Sequence, residues 1–356
     1  MSSGLSDLSF VQLKESRDVL TRWSIKTNDR TAHQYRSMLA SFLDQYRLLI
    51  RMLSREIWHE LEEKFPWLYH HPTLRGEVLA SSSSALIGLI MYRTMIGHLR
   101  RPGREKEDQE LDHWLVLLYL GSDYILDDPE IDDQVKREMK DKVREVFKET
   151  LSERIKVEGS IEDHRVLALI KLLYDILERE PLSRQGLLMA WKSELRSEQQ
   201  KSETDIDKLW DISGDKGYKT VLMACHIINS GQDLSGSRVL GAVTQHVDDL
   251  MDHLSDHKAG INTAAVRAIY HEHRDWSLDR YIHRLLREID SLDIDLWPLK
   301  IFFVQVTCSC GFHNRATSEE FRQLLRAYLL DENICHFEQF IKLLGAEENV
   351  PSGWTM

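Results

Sequence analysis

Asp248, Asp252 and Asp256 recur at every fourth position in the stretch Gly241 to Thr263, GAVTQHVDDLMDHLSDHKAGINT. At helical spacing they project from one face in successive turns, with Asp249 beside them. Like charges this close cost a helix some tenths of a kcal/mol per pair. A divalent cation reverses that sign, because carboxylates at this density are the oxygen ligands Mg²⁺ takes before completing its octahedron with water and substrate phosphates. The same charges would equally suit a solvated helix face. A second acidic pair, Asp123 and Asp127, ends the window LDHWLVLLYLGSDYILDD, Leu111 to Asp128, just before Pro129. Ionised carboxylates at a helix C-terminus oppose the macrodipole by about 0.3–1 kcal/mol each, so they need solvent or a cation. If both clusters face one cavity, metal ions and a diphosphate would fill the gap between them.

The elements that must carry these residues read as helices. The chain has 356 residues, 42% hydrophobic and 29% charged, which marks a globular protein. Only seven prolines interrupt it, and the windows between them place apolar residues at three- and four-residue spacing, with no strand-like alternation. The expectation is an all-α chain of one domain over residues 1–356: outer N-terminal helices over 1–60 and a catalytic bundle over 76–345. Ala85 to Tyr92 and Trp114 to Leu120 are the longest apolar runs, well short of the roughly 20 residues of a membrane span. The start, MSSGLSDLSFVQ, lacks the basic residues and apolar core of a secretory signal, and four scattered cysteines make no disulfide framework. A cytoplasmic protein without integral membrane association is expected. The net charge of −12 argues against nucleic acid or an anionic membrane surface as partner, since both call for a basic footprint. An acidic protein that holds a polyanion needs metal ions to do so.

The pattern Gln245-x-x-Asp248-Asp249-x-x-Asp252, followed by Asp256, Gly260 and Thr263, resembles the second aspartate-rich motif of trans-isoprenyl diphosphate synthases. Asp123-Tyr-Ile-Leu-Asp127 resembles their first motif, DDxxD, with Tyr124 in place of the second acid. Between them Asp215 to Thr220, DKGYKT, resembles the Lys-Thr element of the prenyltransferases. The large, class IB terpene synthases of bacteria carry similar elements, and the two acidic motifs here are closer to that version. The resemblance implies an isoprenoid-synthase helical bundle around a central cavity. It further implies three Mg²⁺ ions between Asp123 and Asp127 on one side and Asp248, Asp252 and Asp256 on the other, with a prenyl diphosphate held between. Lys219 and Lys258 are then candidates for phosphate contact, and Tyr119, Tyr124, Met223 and Gln245 for the cavity wall, with Trp191 a further aromatic candidate. Dimers are common in the resembled families, so a homodimer is compatible.

Departures from the family pattern bear on the reaction. Enzymes that condense two substrates carry a Gly-Lys-Arg element before the first motif and an Arg pair after it. Near Arg75 and Gly76 no such element occurs, and Asp132 and Asp133 stand where the Arg pair would be. Two acids do not bind a diphosphate. The expectation is therefore a one-substrate terpene synthase that ionises a linear prenyl diphosphate, farnesyl or longer, and cyclises or quenches the cation. Lys136 and Arg137 lie one turn further on and keep chain elongation with isopentenyl diphosphate as the alternative. A non-catalytic partner subunit of the same fold is a third reading, disfavoured by the presence of both acid clusters. Cys308, Cys310, His313, Cys335 and His336 lack the spacing of a tetrahedral zinc site.

Overall fold

Apolar spacing at three and four residues settles the local structure. The computed structural model describes residues 6–23, 131–148, 154–179, 181, 183–229, 236–271, 276–293 and 296–329, and every regular element among them is helical. In chain order these are α1 (Phe10–Trp23), α2 (Asp133–Lys148), α3 (Arg154–Gly159), α4 (His164–Arg179) and α5 (Ser183–Ser197), then a short 3₁₀ turn (Glu198–Lys201). There follow α6 (Ile206–Asn229), α7 (Ser237–Met251), α8 (His253–Ala259), α9 (Ala264–Tyr270), α10 (Leu278–Ser291), α11 (Trp297–His313) and α12 (Glu319–Tyr328). None of the described helices is long and apolar enough to cross a membrane. The first acidic motif, with Asp123, Asp127, Tyr119 and Tyr124, lies outside the described residues, as does the stretch around Arg75 and Gly76.

The described residues fall into two compact units. One draws on Phe42–Met189 and Leu222–Leu234, the other on Met1–Ser41, Ala190–Val221 and Ser235–Met356. In the first, α4 buries Val166, Leu169, Ile170, Leu173, Tyr174 and Leu177, an i, i+3, i+4, i+7 stripe that α2 meets with Met139, Val143 and Val146. Each such aliphatic side chain contributes about 1.5–3 kcal/mol on full burial.

The second unit is built around α11. From Ile301 to Ser309 every residue of this helix is buried, and α1, α7, α10 and α12 all pack against it. A helix apolar nearly all round belongs inside a bundle. Its thiol Cys308 is held well above the usual range by burial first and by Cys310 second, so it stays a protonated core residue. α10 presents Leu278, Tyr281, Ile282, Leu285, Leu286 and Ile289 to this interior, again at helical spacing.

Polar side chains fasten the N-terminal segment across the outside of α10. Arg22 Nη1 and Trp23 Nε1 donate to Asp290 Oδ1 at 2.7 and 2.8 Å, and Ser277 Oγ donates to Asp7 Oδ1 at 2.8 Å. Ser16 Oγ lies 2.9 Å from His283 Nδ1, with Glu15 Oε2 3.6 Å from the other ring nitrogen. These are the residue types of a hydrolytic triad. Ser16, however, is completely buried between helices, so the trio is an interface bond and meets no substrate.

Asp279 is the densest node of this seam. Only 2% exposed, it accepts from Ser6 Oγ at 2.6 Å, from Ser318 N at 3.0 Å and from Ser318 Oγ, and Ser318 is also the N-cap of α12. Burial pushes its carboxyl above the ordinary value while the Ser318 and Ser6 hydroxyls oppose that. Asp279→Ala leaves these donors unpaired in the interior, and the expected loss in urea denaturation is about 2–4 kcal/mol, with Asp279→Asn losing less because it retains an acceptor.

Candidate functional site

The acidic stretch is positioned by its packing partner, α6. Gly217 of α6 and Gly241 of α7 face each other so closely that neither position has room for a Cβ. A methyl on Gly217 would run into the Gly241 carbonyl oxygen and lie 2.7 Å from Gln245 Cβ, and one on Gly241 would run into the Gly217 carbonyl and lie 2.6 Å from Tyr218 Cα. Glycine inside a helix costs about 1 kcal/mol relative to alanine, a cost offset here by the close approach of two backbones. α7 is also held by Tyr281 of α10, whose hydroxyl donates to the His246 carbonyl at 2.7 Å.

From Gly241 the acid face runs outward. α7 ends at Met251 and α8 begins at His253, with Asp252 at the joint, yet the helical ladder continues through it. Asp252 N donates to Asp248 O and Asp256 N to Asp252 O, both at 2.9 Å. Asp252 itself has φ −92° and ψ 7°, outside the α-helical region, so these two bonds carry the chain through a bend between α7 and α8. Asp248 and Asp252 are exposed and Asp256 is half-buried. Gly260, at φ 72°, then stops α8 in the left-handed conformation while Gly260 N and Ile261 N cap the His257 and Asp256 carbonyls at 3.2 and 2.9 Å. Thr263 starts α9 as its N-cap, its hydroxyl accepting from Val266 N at 3.2 Å.

Gln245 sits where this face meets the interior. Its Nε2 donates to Asp248 Oδ2 at 3.2 Å and to Asp249 Oδ1 at 3.0 Å. Asp249 is 4% exposed. Burial raises its carboxyl above the ordinary value, and the Ser213 and Gln245 side chains and the Lys216 charge pull it back. Ser213 is near enough to favour the charged form, although Asp249 Oδ2 has no partner of hydrogen-bond geometry. Ser213 Oγ accepts from Gln200 Nε2 at 2.9 Å, and both of those residues are buried.

Of the two candidate lysines, Lys258 is exposed on α8, two residues before Gly260. Lys219 is half-buried, its Nζ 3.8 Å from Asp215 Oδ1, and Asp215 also takes Arg196 at 3.2 Å. Two residues turn an α-helix by about 200°, so Lys219 leaves α6 on the side away from Gly217. The cation whose charge reaches Asp249 is Lys216, one residue before that glycine, with its Nζ 3.3 Å from Glu194 Oε2. Sequence reading passed over Lys216, Ser213 and Gln200. Only the paired in-helix glycines signalled that this face of α6 touches α7. Trp191 is buried with its indole Nε1 unpartnered, and Met223 is buried in the unit that holds α2 and α4.

On the interior flank of α7, His246 is wholly buried and neither ring nitrogen has a hydrogen-bond partner. The ring stacks on Trp210 at 3.8 Å. Glu288 Oε2 is 3.9 Å from Nε2, too far for a hydrogen bond, and that carboxylate is already engaged through Oε1 by Trp210 Nε1 at 3.1 Å. Burial first, and the Arg284 charge second, pull the imidazole down to about 3, so it is neutral and makes no ion pair.

The donor set can be tested against a hard divalent ion. Successive aspartates four residues apart are separated by about 6 Å along the axis, so the three do not converge on one ion by themselves. Among the described residues no group of three His, Cys, Asp or Glu side chains forms a metal site. What the face does offer is all-oxygen, anionic and solvent-facing, which suits ions whose remaining ligands are water and phosphate. Comparison with protein-family models, with curated proteins and with solved structures gave no match.

Gly241→Ala or Gly217→Ala is expected to cost about 1–3 kcal/mol in chemical denaturation through overpacking, whereas Gly214→Ala, whose methyl would sit 3.4 Å from Ala242 Cβ and His246 Nε2, should be near neutral. For His246, the folded value lies below the unfolded one, so the unfolded chain binds more protons between about pH 3 and 6.5. Stability is full above that window and falls by about 1.4 kcal/mol per pH unit as pH drops into it. Urea midpoints measured across this range should fall accordingly in the parent, with a shallower fall in His246→Phe, which retains a ring against Trp210.

Proposed function

We propose that this chain is a Mg²⁺-dependent class I terpene synthase. It ionises a linear prenyl diphosphate, farnesyl or longer, then cyclises or quenches the resulting carbocation and releases diphosphate. The observation that supports this reading is the acidic run of Asp248, Asp252 and Asp256, the first two exposed and the third half-buried, with Asp248 joined to buried Asp249 by Gln245. The reading takes the isoprenoid-synthase resemblance of the chain as its guide and adds Asp123 and Asp127 of the first acidic motif as further ligands.

When bound, Mg²⁺ would supply Lewis-acid withdrawal of charge from the leaving oxygens. The carboxylates of Asp123, Asp127, Asp248, Asp252 and Asp256 would hold it. Lys258 is the proposed phosphate contact, Lys219 being turned to Asp215 on the side of α6 away from Gly217, and Tyr119, Tyr124 and Met223 are the proposed cavity wall. As the allylic C–O bond breaks, its electron pair leaves with the diphosphate. An aromatic ring beside the cation stabilises it by about 0.5–2 kcal/mol through the ring quadrupole. The cation ends by losing a proton or gaining water.

Asp132 and Asp133, where an elongating enzyme would carry its arginine pair, are both exposed at the start of α2, which favours a single diphosphate site. Incubation with farnesyl, geranylgeranyl and longer diphosphates, with and without isopentenyl diphosphate, decides the matter by gas chromatography of phosphatase-treated extracts. A cyclic or hydroxylated terpene from the allylic substrate alone is expected, and Asp248→Asn should lower kcat/KM by about a hundredfold or more. A longer prenyl alcohol made only with isopentenyl diphosphate would assign chain elongation instead, with Lys136 and Arg137 as the second site. No turnover on any substrate rejects both activities.

A further inference from the structure

His283 is a titratable side chain set between two helices. It stands on α10 against α1, 5% exposed, with Ser16 Oγ 2.9 Å from Nδ1 and Glu15 Oε2 3.6 Å from Nε2. The carboxylate beyond Nε2 favours the tautomer that carries its proton there, which leaves Nδ1 to accept from the Ser16 hydroxyl. A second proton can then enter only at Nδ1. It turns that acceptor into a donor, so that two donors face each other beside a serine with no exposed surface. Glu15 repays little of this, because its side chain is half-exposed and already solvated. Arg287, exposed one turn along α10, opposes a further positive charge. The other ionisable groups of the neighbouring helices are engaged elsewhere. On α10 itself Asp279 is taken by Ser6 and Ser318, Arg280 by Asp7 and Arg284 by Asp207. On α11 Lys300 is held two turns away by the Asp290 carbonyl and the Trp23 ring, and on α12 Glu320 meets Ser6 N and Tyr328 meets Thr21.

The helix on the other side of this bond has a small hold on the bundle. Within α1 the buried residues are Ser16, Val19, Leu20 and Trp23, and between Leu8 and Val19 Ser16 is the one buried residue. The start of the helix is bare, with Phe10 82% and Val11 62% exposed. Losing the Ser16 bond therefore removes the anchor of that half of α1. We propose that α1 is a proton-operated strap: protonation of His283 breaks its bond to Ser16 and releases the stretch of α1 around it from α10 while the rest of the unit stays packed. Burial first, opposed by Glu15 and aided by Arg287, pulls the imidazole below its ordinary value of 6.5, which agrees in sign with the clash of donors. The released state then binds the proton more tightly, so the bond holds fully above about pH 6.5 and is lost as pH falls below it. Mild acid thus opens the outer face of α10 without unfolding the bundle, and nothing in the strap depends on a metal or a substrate.

The test is amide hydrogen exchange of the full chain, read by mass spectrometry at about pH 7.5 and about pH 5.5 and corrected for the intrinsic effect of pH on exchange. Peptides covering α1 are compared with peptides covering α11, because unfolding of the whole unit, including that driven by His246, lowers protection in both alike. The ratio of α1 to α11 protection in the parent is expected to fall by about tenfold between the two pH values. It should stay flat in His283→Gln, which keeps a polar amide at the site but does not titrate. Ser16→Ala removes the opposing hydroxyl and should show a shallower fall, and it carries the test if His283→Gln does not fold. A parent ratio that does not change with pH overturns the strap. So does a fall as large as the parent's in His283→Gln, or in Ser16→Ala where that variant carries the test.

Discussion

The contact of Gly217 with Gly241 governs where everything else in the candidate site can be. Two helix backbones brought this close leave no freedom in the rotation of α7 about its axis, because any turn would drive a neighbouring side chain into α6. Once that rotation is set, Asp248 and Asp252 must face solvent, Asp249 must face the interior, and His246 must lie against Trp210. The acid face is thus a consequence of two missing Cβ atoms as much as of the aspartates.

α7 is held along α6 by the Gly217–Gly241 backbone contact and, further along the same seam, by an aromatic cluster. Trp210, His246, Tyr281 and Trp276 pack ring to ring at 3.8–5.9 Å, and Arg284 lies 4.4 Å over Trp210 while its Nη1 reaches Asp207 at 2.9 Å. Offset and edge-on aromatic pairs each add about 0.5–1.5 kcal/mol beyond their buried area. A neutral histidine fits such a cluster because it supplies a flat ring, and the absence of bonds to its nitrogens is compatible with that use. The cluster is where α6, α7 and α10 meet, so it converts the rigidity of the bundle into a fixed platform under the acids.

How far the sequence could be read depended on which physics was local. The helices were legible because i, i+3, i+4 stripes such as Val166 to Leu177 and Leu278 to Ile289 need no knowledge of a partner. The expectation that Asp248, Asp252 and Asp256 share one helix face uses the same local rule, which did not announce the break between α7 and α8 at Asp252. Gly260 and Thr263 entered as parts of a family pattern, and the structure gives them a plain local job as a helix stop and a helix start. What could not be read was pairing across helices. Lys219 stood out by its place in a motif, yet helical rotation turns it toward Asp215, while Lys216 carries the charge felt at Asp249. The buried chain through Gln200 and Ser213 joins residues thirteen apart on two elements, and no periodicity announces such a meeting.

The seam between the N-terminal segment and α10 also has a temporal side. Ser6 meets Glu320 across 314 positions of chain, and Ser16 meets His283 across 267. Contacts this distant in sequence are the slow ones, since the entropy of closing the loop is lost before any contact repays it. During synthesis at about 5–20 residues per second, α1 leaves the ribosome roughly a quarter of a minute to a minute before its partner helix exists. For that interval Val19, Leu20 and Trp23, which end up buried, have no native surface to meet. α1 is therefore later to reach its place than to be made, and the nascent chain carries an apolar stripe without its native partner until α10 to α12 emerge.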